Sequence, residues 1–177
     1  TERGLTVARG EVEEVLASAG GLALSDEQIH AIEVALRAPL SIITGGPGTG
    51  KTSIVVSLLR VLHARGVTNE EIALAAPTGK AANRMAESIR EQISADEDAA
   101  KLAHLEPSTL HRLLDYSRRR REFRHGADNP LKHNFIIVDE ASMIDLVLMQ
   151  RLVAAVRPDA RLLLLGDAEQ LPSVETG

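Results

Sequence analysis

The chain has 177 residues, 44% of them hydrophobic, so it is long enough to bury one sizeable core. It contains no cysteine, which excludes disulfides and thiolate metal sites, and its formal net charge of -5 argues against a uniformly basic surface that coats nucleic acid. The longest apolar runs, residues 135–138 and 162–165, are too short to cross a bilayer, and no signal segment opens the chain. These features predict a soluble, cytoplasmic protein with no membrane partner.

Two short helical patterns open the chain. Residues 11–19 form the first and stop before Gly20-Gly21, and residues 26–37 form the second, with apolar side chains along one face. We expect residues 1–38 to be a helical N-terminal segment or linker that leads into a core domain of residues 39–177.

Short β-branched or leucine-rich runs then alternate with longer helical patterns, which is typical of βαβ units around a parallel sheet. The predicted strands are residues 40–44, 72–76, 135–138 and 161–165, and the predicted helices are residues 51–65, 80–94 and 146–156. Residues 95–106 and 116–132 have no strong period, and we expect them to be surface insertions. The fold class predicted is therefore α/β.

A glycine-rich loop follows the first predicted strand and opens a helix. Its sequence fits the pattern G-x-x-x-x-G-K-[ST], in which backbone N–H groups and the helix start bind phosphates. We expect Lys51 to span the β and γ phosphates of ATP and Thr52 to offer its hydroxyl to Mg²⁺. A chance glycine-rich turn is the alternative, and the strand-loop-helix context disfavours it. The candidate nucleotide-binding residues here are Gly45, Gly46, Pro47, Gly48, Thr49, Gly50, Lys51, Thr52 and Ser53.

Asp139 and Glu140 follow the predicted strand at residues 135–138, at the sheet edge where ligands bind in open α/β folds. We expect Asp139 to hold Mg²⁺, and Glu140 to point differently, because side chains alternate along a strand, and to act as general base for the attacking water. The alternative is a solvated strand end or an acidic pair at a helix start.

The strand at residues 161–165 ends in Gly166-Asp167. In the additional-strand class of NTPases, such a strand lies between the phosphate-loop strand and the acidic one. Gln170 is then placed to sense the γ phosphate, and we count it with Lys51, Asp139 and Glu140 as a catalytic candidate.

These motifs and three further segments resemble, in order, the RecD family of superfamily 1B DNA helicases. The further segments are Ala-Pro-Thr-Gly-Lys-Ala-Ala at residues 76–82, Ser-Thr-Leu-His-Arg-Leu-Leu at 108–114 and the run at 166–174. Residues 129–131 and 143–146 are more similar to the alpha subunit of RecBCD (exonuclease V) than to stand-alone RecD-like helicases.

The resemblance implies a RecA-like motor domain of a P-loop NTPase, which drives 5′ to 3′ translocation on single-stranded DNA in recombinational repair. It also implies other subunits of a helicase-nuclease complex as partners, and Gln170 as the link between nucleotide state and the DNA surface. The residues that it places near the DNA backbone are Pro77, Thr78, Lys80, Thr109 and His111.

Gln28 matches the position of a glutamine that reads adenine in related helicases, since an amide both donates and accepts hydrogen bonds. Ser25 and Gln28 also have the spacing of a helix capping box, and the two roles need not exclude each other.

Motifs IV to VI of a whole helicase, with the second motor domain and its arginine fingers, do not occur in the 177 residues. Because an arginine finger contributes about 10³–10⁵ in rate, we expect these residues alone to bind ATP–Mg²⁺ weakly and to hydrolyse it negligibly. One alternative is a P-loop module that uses ATP as a conformational switch within a DNA-processing complex. A small-molecule kinase or transporter ATPase would leave residues 108–114 and 166–174 unexplained.

We expect the protein to bind DNA mostly through contacts with the sugar-phosphate backbone of the DNA. Tyr116, Phe123 and Phe135 are the aromatic residues of the chain, so base stacking is expected to contribute little. The basic cluster at Arg118–Arg121, with Arg124 and His125, fits a contact with DNA or a partner subunit, and equally a solvated loop.

Overall fold

The computed structural model describes residues 9–18, 24–46, 48–93, 102 and 104–167. Within these residues, five parallel strands form one sheet in the order β1-β7-β6-β2-β3, and β4 and β5 form a separate antiparallel hairpin. The strands are β1 (Leu40–Thr44), β2 (Ile72–Ala76), β3 (Ser108–Thr109), β4 (Tyr116–Ser117), β5 (Glu122–Phe123), β6 (Phe135–Val138) and β7 (Arg161–Gly166).

Helices connect the strands and cover both faces of the sheet. They are α1 (Arg9–Ser18), α2 (Asp26–Arg37), α3 (Lys51–Ala64), α4 (Gly79–Ile93), α5 (Leu110–Leu113) and α6 (Leu146–Ala155), with single 3-10 turns at Asn69–Glu71 and Ala141–Met143. No helix of the described residues is long and apolar enough to span a membrane.

The sheet is buried on both faces because successive side chains of a strand point in opposite directions. In β6, Ile137 belongs to the core that includes residues of α1 to α4, whereas the neighbouring Ile136 belongs to the core that includes residues of α5 and α6. Both isoleucines are at most 1% exposed. Burial on both sides explains why β6 is apolar at every position instead of alternating with polar residues.

The parallel register brings the carboxyl ends of the central strands to one edge. Thr44 pairs with Gly166, Leu164 with Val138, and Val138 with Ala75. The loops that follow β1, β2 and β6, and Asp167 at the end of β7, therefore lie on the same side of the sheet, where an open α/β sheet binds its ligands.

The predicted α/β fold with a helix-flanked parallel sheet is confirmed, and so is the position of β7 between β1 and β6. The predicted strands at 40–44, 72–76 and 135–138 have the expected bounds, and the one at 161–165 extends by one residue. The helices α1 and α2 share a core with α3 through Val12, Ile32 and Leu36. The division of the chain at residue 38 stays a prediction.

Two elements were not among those predicted. Ser108 and Thr109 form the short strand β3 beside β2, and the expected insertion at residues 116–132 contains the β4–β5 hairpin. Most of the other expected insertion, residues 95–106, lies outside the described residues.

Candidate nucleotide-binding site

The phosphate loop, residues 45–52, follows β1 and leads into α3. Gly48 and Gly50 have positive φ angles of 78° and 81°, in the left-handed region that side chains with a Cβ disfavour. Gly50 is also the residue that caps the start of α3. The glycines are therefore required by the backbone path, and the described part of the loop ends at a helix N-terminus. Pro47 lies outside the described residues.

The loop is closed by its own hydrogen bonds. The Thr49 hydroxyl donates to the Gly46 carbonyl at 2.9 Å, and the Gly45 N–H donates to the Gly166 carbonyl at 3.2 Å. A Cβ added at Gly45 would lie 2.6 Å from Thr49 Oγ1. The loop is thus packed against itself and tied to the end of β7.

Lys51 begins α3 and turns back over the loop. Its ammonium group donates to the carbonyl oxygens of Gly45 and Gly46, the latter at 3.0 Å. The Lys51 side chain is half-buried. These contacts hold a positive charge at the mouth of the loop, which is where an anionic phosphate chain needs it.

Gln28 lies at the first turn of α2 and reaches the same loop. Its Oε1 accepts from the Ser25 N–H at 2.9 Å while Ser25 Oγ accepts from the Gln28 N–H at 3.2 Å, so the predicted capping box is present. Its Nε2 also donates to the Thr49 carbonyl at 3.2 Å. The adenine-reading role of Gln28 stays a prediction.

Asp139 and Glu140 follow β6 directly. The Asp139 N–H donates to the Ala75 carbonyl at 2.9 Å, and Asp139 Oδ1 accepts from the Glu140 N–H at 2.8 Å. Glu140 has φ 53° and ψ 40°, a left-handed conformation that is uncommon outside glycine. The strand β6 ends at Val138, so the alternation expected to separate the two side chains does not extend to this pair, and the backbone instead turns at Glu140.

The alternative interpretation, in which Asp139 and Glu140 are an acidic pair at a helix start, agrees with the structure in part. Glu140 precedes the 3-10 turn Ala141–Met143, but its side chain makes no capping hydrogen bond there. The longer helix α6 is capped by Asp145, whose Oδ1 accepts from the Leu148 N–H at 2.8 Å. The Glu140 carboxylate is therefore left available for other contacts.

A cleft of about 560 Å³ joins these groups. The phosphate loop forms one wall, Asp139 and Glu140 lie at the carboxyl end of β6, and α4 forms the opposite wall. The residues that line it are Gly48, Thr49, Gly50, Lys51, Thr52, Ala81, Arg84, Met85, Ser88, Gln92, Asp139 and Glu140. Of the other predicted nucleotide-binding residues, Ser53 does not line the cleft, and its Oγ lies 4.0 Å from a Cβ that would be added at Gly50.

The donor set of the cleft fits a magnesium nucleotide. Thr52 and Asp139 supply hydroxyl and carboxylate oxygens, the hard ligands that Mg²⁺ prefers. Among the described residues there is no group of three or more His, Cys, Asp or Glu side chains that would form a metal cage. Mg²⁺ is usually held by only one or two protein side chains together with substrate phosphates and water, and the oxygens of Thr52 and Asp139 could serve as those ligands.

Three of the five predicted DNA-contacting residues meet in a second cleft of about 610 Å³. Pro77, Thr109 and His111 line it. The Thr109 hydroxyl accepts from the Arg112 N–H at 3.2 Å and so caps α5. Thr78 caps the start of α4 in the same way, accepting from the Ala81 N–H at 3.2 Å. Lys80 is exposed on the first turn of α4 and is not part of this lining.

Aromatic side chains gather beside the second cleft, an arrangement that the sequence does not reveal. Tyr116 and Phe123 face each other across the hairpin with ring centroids 4.8 Å apart, and His111 lies 5.3 Å from Tyr116. Tyr116 and Arg118 line the cleft with His111. The hairpin brings positions 116 and 123 together across an arginine-rich turn, and the sequence of that turn gives no signal for it.

Gln170 and most of the segment 166–174 lie outside the described residues. Gly166 and Asp167 are described, and Asp167 is 4% exposed at the end of β7. The sensing role of Gln170 stays a prediction.

Comparisons with known proteins extend these findings. A family model described as AAA domain matches residues 28–176. The RecBCD enzyme subunit RecD of Mycobacterium tuberculosis is 51% identical over 158 residues, which cover 86% of this chain and 27% of that protein. The ATP-dependent RecD2 DNA helicase of Deinococcus radiodurans is 39% identical over 154 residues, which cover 87% of this chain and 19% of that protein.

A solved structure of Bacteroides Pif1 bound to ssDNA gives a TM-score of 0.54 at 21% identity, covering 86% of this chain and 34% of that chain, and supports the fold. The resemblance to RecD drawn from the motifs is confirmed by the relatives, although the chain spans only 27% of the length of the Mycobacterium tuberculosis protein. Because the family model covers most of its length, the chain belongs to the AAA domain family.

Proposed function

We propose that this chain is the ATP-binding motor domain of a RecD-type DNA helicase, which couples ATP hydrolysis to 5′ to 3′ translocation on single-stranded DNA in recombinational repair. The observation that carries the proposal is the shared cleft in which Lys51 and Thr52 face Asp139 and Glu140. The names of the relatives, a RecBCD subunit and an ATP-dependent DNA helicase, support the choice of reaction. A cytoplasmic location belongs to the same proposal.

The proposed chemistry is phosphoryl transfer to water. Glu140 orients the water and accepts its proton as the oxygen attacks the γ phosphorus, and Lys51 neutralises charge on the phosphate oxygens. Thr52 and Asp139 would hold Mg²⁺, which would supply positive charge to offset that of the phosphates. Gln28 would select adenine from its place beside the loop, and Gln170 would report the γ phosphate.

The proposed DNA path uses the second cleft. Pro77, Thr109 and His111 line it, and Arg118 adds a positive charge at the hairpin turn. Hydroxyl and N–H contacts of this kind bind phosphates without reading sequence, so sequence-independent binding is expected. Thr78 and Lys80 would contact the same strand from the start of α4.

The Lys51→Gln variant, made in the protein at its natural length, tests the proposal. We expect it to lose DNA-stimulated ATP hydrolysis and strand separation while still assembling with its partner subunits, because the lost contacts are those with the phosphates and with the carbonyls of Gly45 and Gly46 within the loop itself. Lys132→Gln is the matched control, since Lys132 is exposed and lies in neither cleft. Unchanged unwinding by Lys51→Gln would contradict the motor function.

Two alternatives differ from this proposal in whether the chain acts as a motor and in whether it needs partner subunits. A P-loop switch within a DNA-processing complex would lose assembly, and not only unwinding, when Lys51 is replaced. A stand-alone RecD-like helicase, as the RecD2 relative suggests, would unwind DNA without partner subunits. Purification of the protein alone and with its copurifying partners, followed by an unwinding assay, separates these outcomes.

A further inference from the structure

One wall of the nucleotide cleft is a stripe of mostly polar residues on α4. Ala81, Arg84, Ser88 and Gln92 line the cleft, and their spacing of three and four residues places them on one face of the helix. Ala82, Ile89 and Ile93 are buried on the core side. The stripe is therefore fixed in direction by the apolar packing of the helix behind it.

Arg84 supplies the second positive charge of the cleft. The charged side chains that line it are Lys51, Arg84, Asp139 and Glu140, so their formal charges cancel. Without Arg84, one lysine would face two carboxylates, and the lining would be negative where a polyanion binds. Arg84 therefore offsets the negative charge of one carboxylate in the cleft, which a solvated arginine elsewhere on the helix would not do.

Arg84 is also free to contact a ligand. Its side chain is exposed, and it has no hydrogen bond or ion pair with any residue of the described ranges. Lys51, in contrast, is held by the carbonyls of Gly45 and Gly46. A guanidinium group presents a planar fork of donors that matches phosphate oxygens, which makes it suited to the transferring phosphate of a nucleotide.

We propose that Arg84 is a phosphate-contacting catalytic residue, supplied by the chain itself, that binds the γ phosphate of the nucleoside triphosphate from the α4 wall. The inference rests on the proposed function of the cleft. In the reaction, the water oxygen forms its bond to the γ phosphorus, the bond from that phosphorus to the β-γ bridging oxygen breaks with its electron pair leaving on ADP, and the proton goes to Glu140. Arg84 takes no proton and neutralises charge on the γ oxygens.

The helix that carries Arg84 connects the nucleotide cleft with the second cleft. It lies on the second turn of α4, whose first turn follows Pro77 and is capped by Thr78. A contact between Arg84 and the γ phosphate would pull on the helix that begins beside the proposed DNA path. Loss of the γ phosphate on hydrolysis would release that contact, while ADP would keep its contacts with the phosphate loop.

Arg84→Ala and Arg84→Gln test the inference in the protein at its natural length, with Arg90→Ala as the matched control. Arg90 is exposed on the same helix and does not line the cleft. The readouts are equilibrium binding of fluorescent ADP and of the slowly hydrolysed analogue ATPγS, and kcat for ATP. Urea denaturation checks that each variant is folded.

We expect both Arg84 variants to weaken ATPγS binding by about tenfold or more, the effect of one charge-assisted hydrogen bond, with ADP binding changed less than about twofold. The value of kcat should fall by about 10²-fold or more, as for other phosphate-stabilising donors. Arg90→Ala should match the unaltered protein. Equal losses for ADP and ATPγS, or unchanged ATPγS binding, would overturn the assignment.

Lys51→Gln measured in parallel separates this inference from the proposed function. If Lys51→Gln abolishes hydrolysis while the Arg84 variants leave ATPγS affinity intact, the role of Arg84 is wrong and the nucleotide site stands. If Lys51→Gln leaves nucleotide binding and hydrolysis unchanged, the proposed function fails and the inference falls with it.

Discussion

The side-chain amide of Gln28 donates to the backbone carbonyl of Thr49 at 3.2 Å, across 21 positions of sequence. This bond joins the first turn of α2 to the phosphate loop. Since the other end of the same amide caps α2 through Ser25, helix capping and loop position depend on one side chain.

Gln28→Ala should therefore affect both stability and nucleotide binding, whereas Ser25→Ala should affect stability alone. Each change removes part of the capping box and should lower the free energy of unfolding by about 0.5–2 kcal/mol in urea titrations. Only Gln28→Ala removes the contact with Thr49, and we expect it to narrow the preference for ATP over GTP in competition binding. Identical nucleotide preferences in the two variants would contradict the proposed role of Gln28.

Gly50→Ala should lower the free energy of unfolding by more than the cost of placing an alanine in a left-handed backbone conformation. Gly50 and Gly66 have similar φ values of 81° and 78°, but a Cβ at Gly50 would overlap Gln28 Nε2, whereas Gly66 faces open space. Gly66→Ala should therefore report the left-handed penalty alone, about 1–2 kcal/mol, and Gly50→Ala should exceed it.

The double variant Gln28→Ala, Gly50→Ala checks the cause of that excess. Shortening residue 28 removes the overlap, so the two changes should cost less together than the sum of their separate losses in urea unfolding. Strict additivity would mean that the overlap with Gln28 does not contribute.

Asn134→Ala should weaken the amino-terminal edge of the sheet. The Asn134 side chain donates to Glu71 Oε1 and accepts from Arg157 Nη2, joining the starts of β2 and β6 to the turn before β7. Hydrogen bonds to charged groups contribute about 1.5–3 kcal/mol, and we expect a loss of that order in urea unfolding.

The control for Asn134→Ala is Asp159→Ala. Asp159 pairs with Arg157 at 3.2 Å, but its side chain is 76% exposed, and exposed pairs contribute about 1 kcal/mol or less. A loss for Asp159→Ala as large as that for Asn134→Ala would show that the exposed ion pair, and not the asparagine, holds this edge together.

His133 should make stability depend on pH. Burial lowers the pKa of His133 below its ordinary value of 6.5, and the positive charges of Lys132, His125 and Arg157 lower it further. The unfolded chain then binds more protons than the folded one between the two pKa values, so this histidine adds stability above about pH 6.5 that is lost as pH falls toward its folded pKa.

Urea midpoints measured between about pH 5 and pH 8 check this dependence. The His133→Gln variant, which cannot titrate, should give a flatter profile over the acidic part of that range. A variant profile parallel to that of the unaltered protein would assign the pH dependence to other groups.

The features that were predictable from sequence are local ones. Gly48, Gly50 and Lys51 lie within four residues of one another, and the pattern that they form specifies a loop, a helix start and a charge together. The apolar run at 135–138 likewise specifies a buried strand with Asp139 at its end. Parallel pairing of these strands then followed from the helical connections between them.

The features that were missed depend on partners distant in sequence or on single dihedral angles. Ser108 and Thr109 become a strand only because β2 offers an unpaired edge, and two residues carry no periodicity. The contact of Tyr116 with Phe123 depends on a hairpin whose turn is arginine-rich and lacks glycine. The left-handed backbone of Glu140 has no signature in a strand pattern that predicts alternation.

The hydrogen bond from the Asp139 N–H to the Ala75 carbonyl has a mechanical consequence. Ala75 stands two residues before Pro77, which lines the second cleft. The strand that leads to the acidic pair and the strand that leads to the second cleft are therefore neighbours in the sheet. A small rotation of the peptide at Asp139 would therefore act on the neighbouring strand through this hydrogen bond. In the proposed function, the events at the triphosphate tail and at the DNA backbone would thereby be linked through the central strands of the sheet.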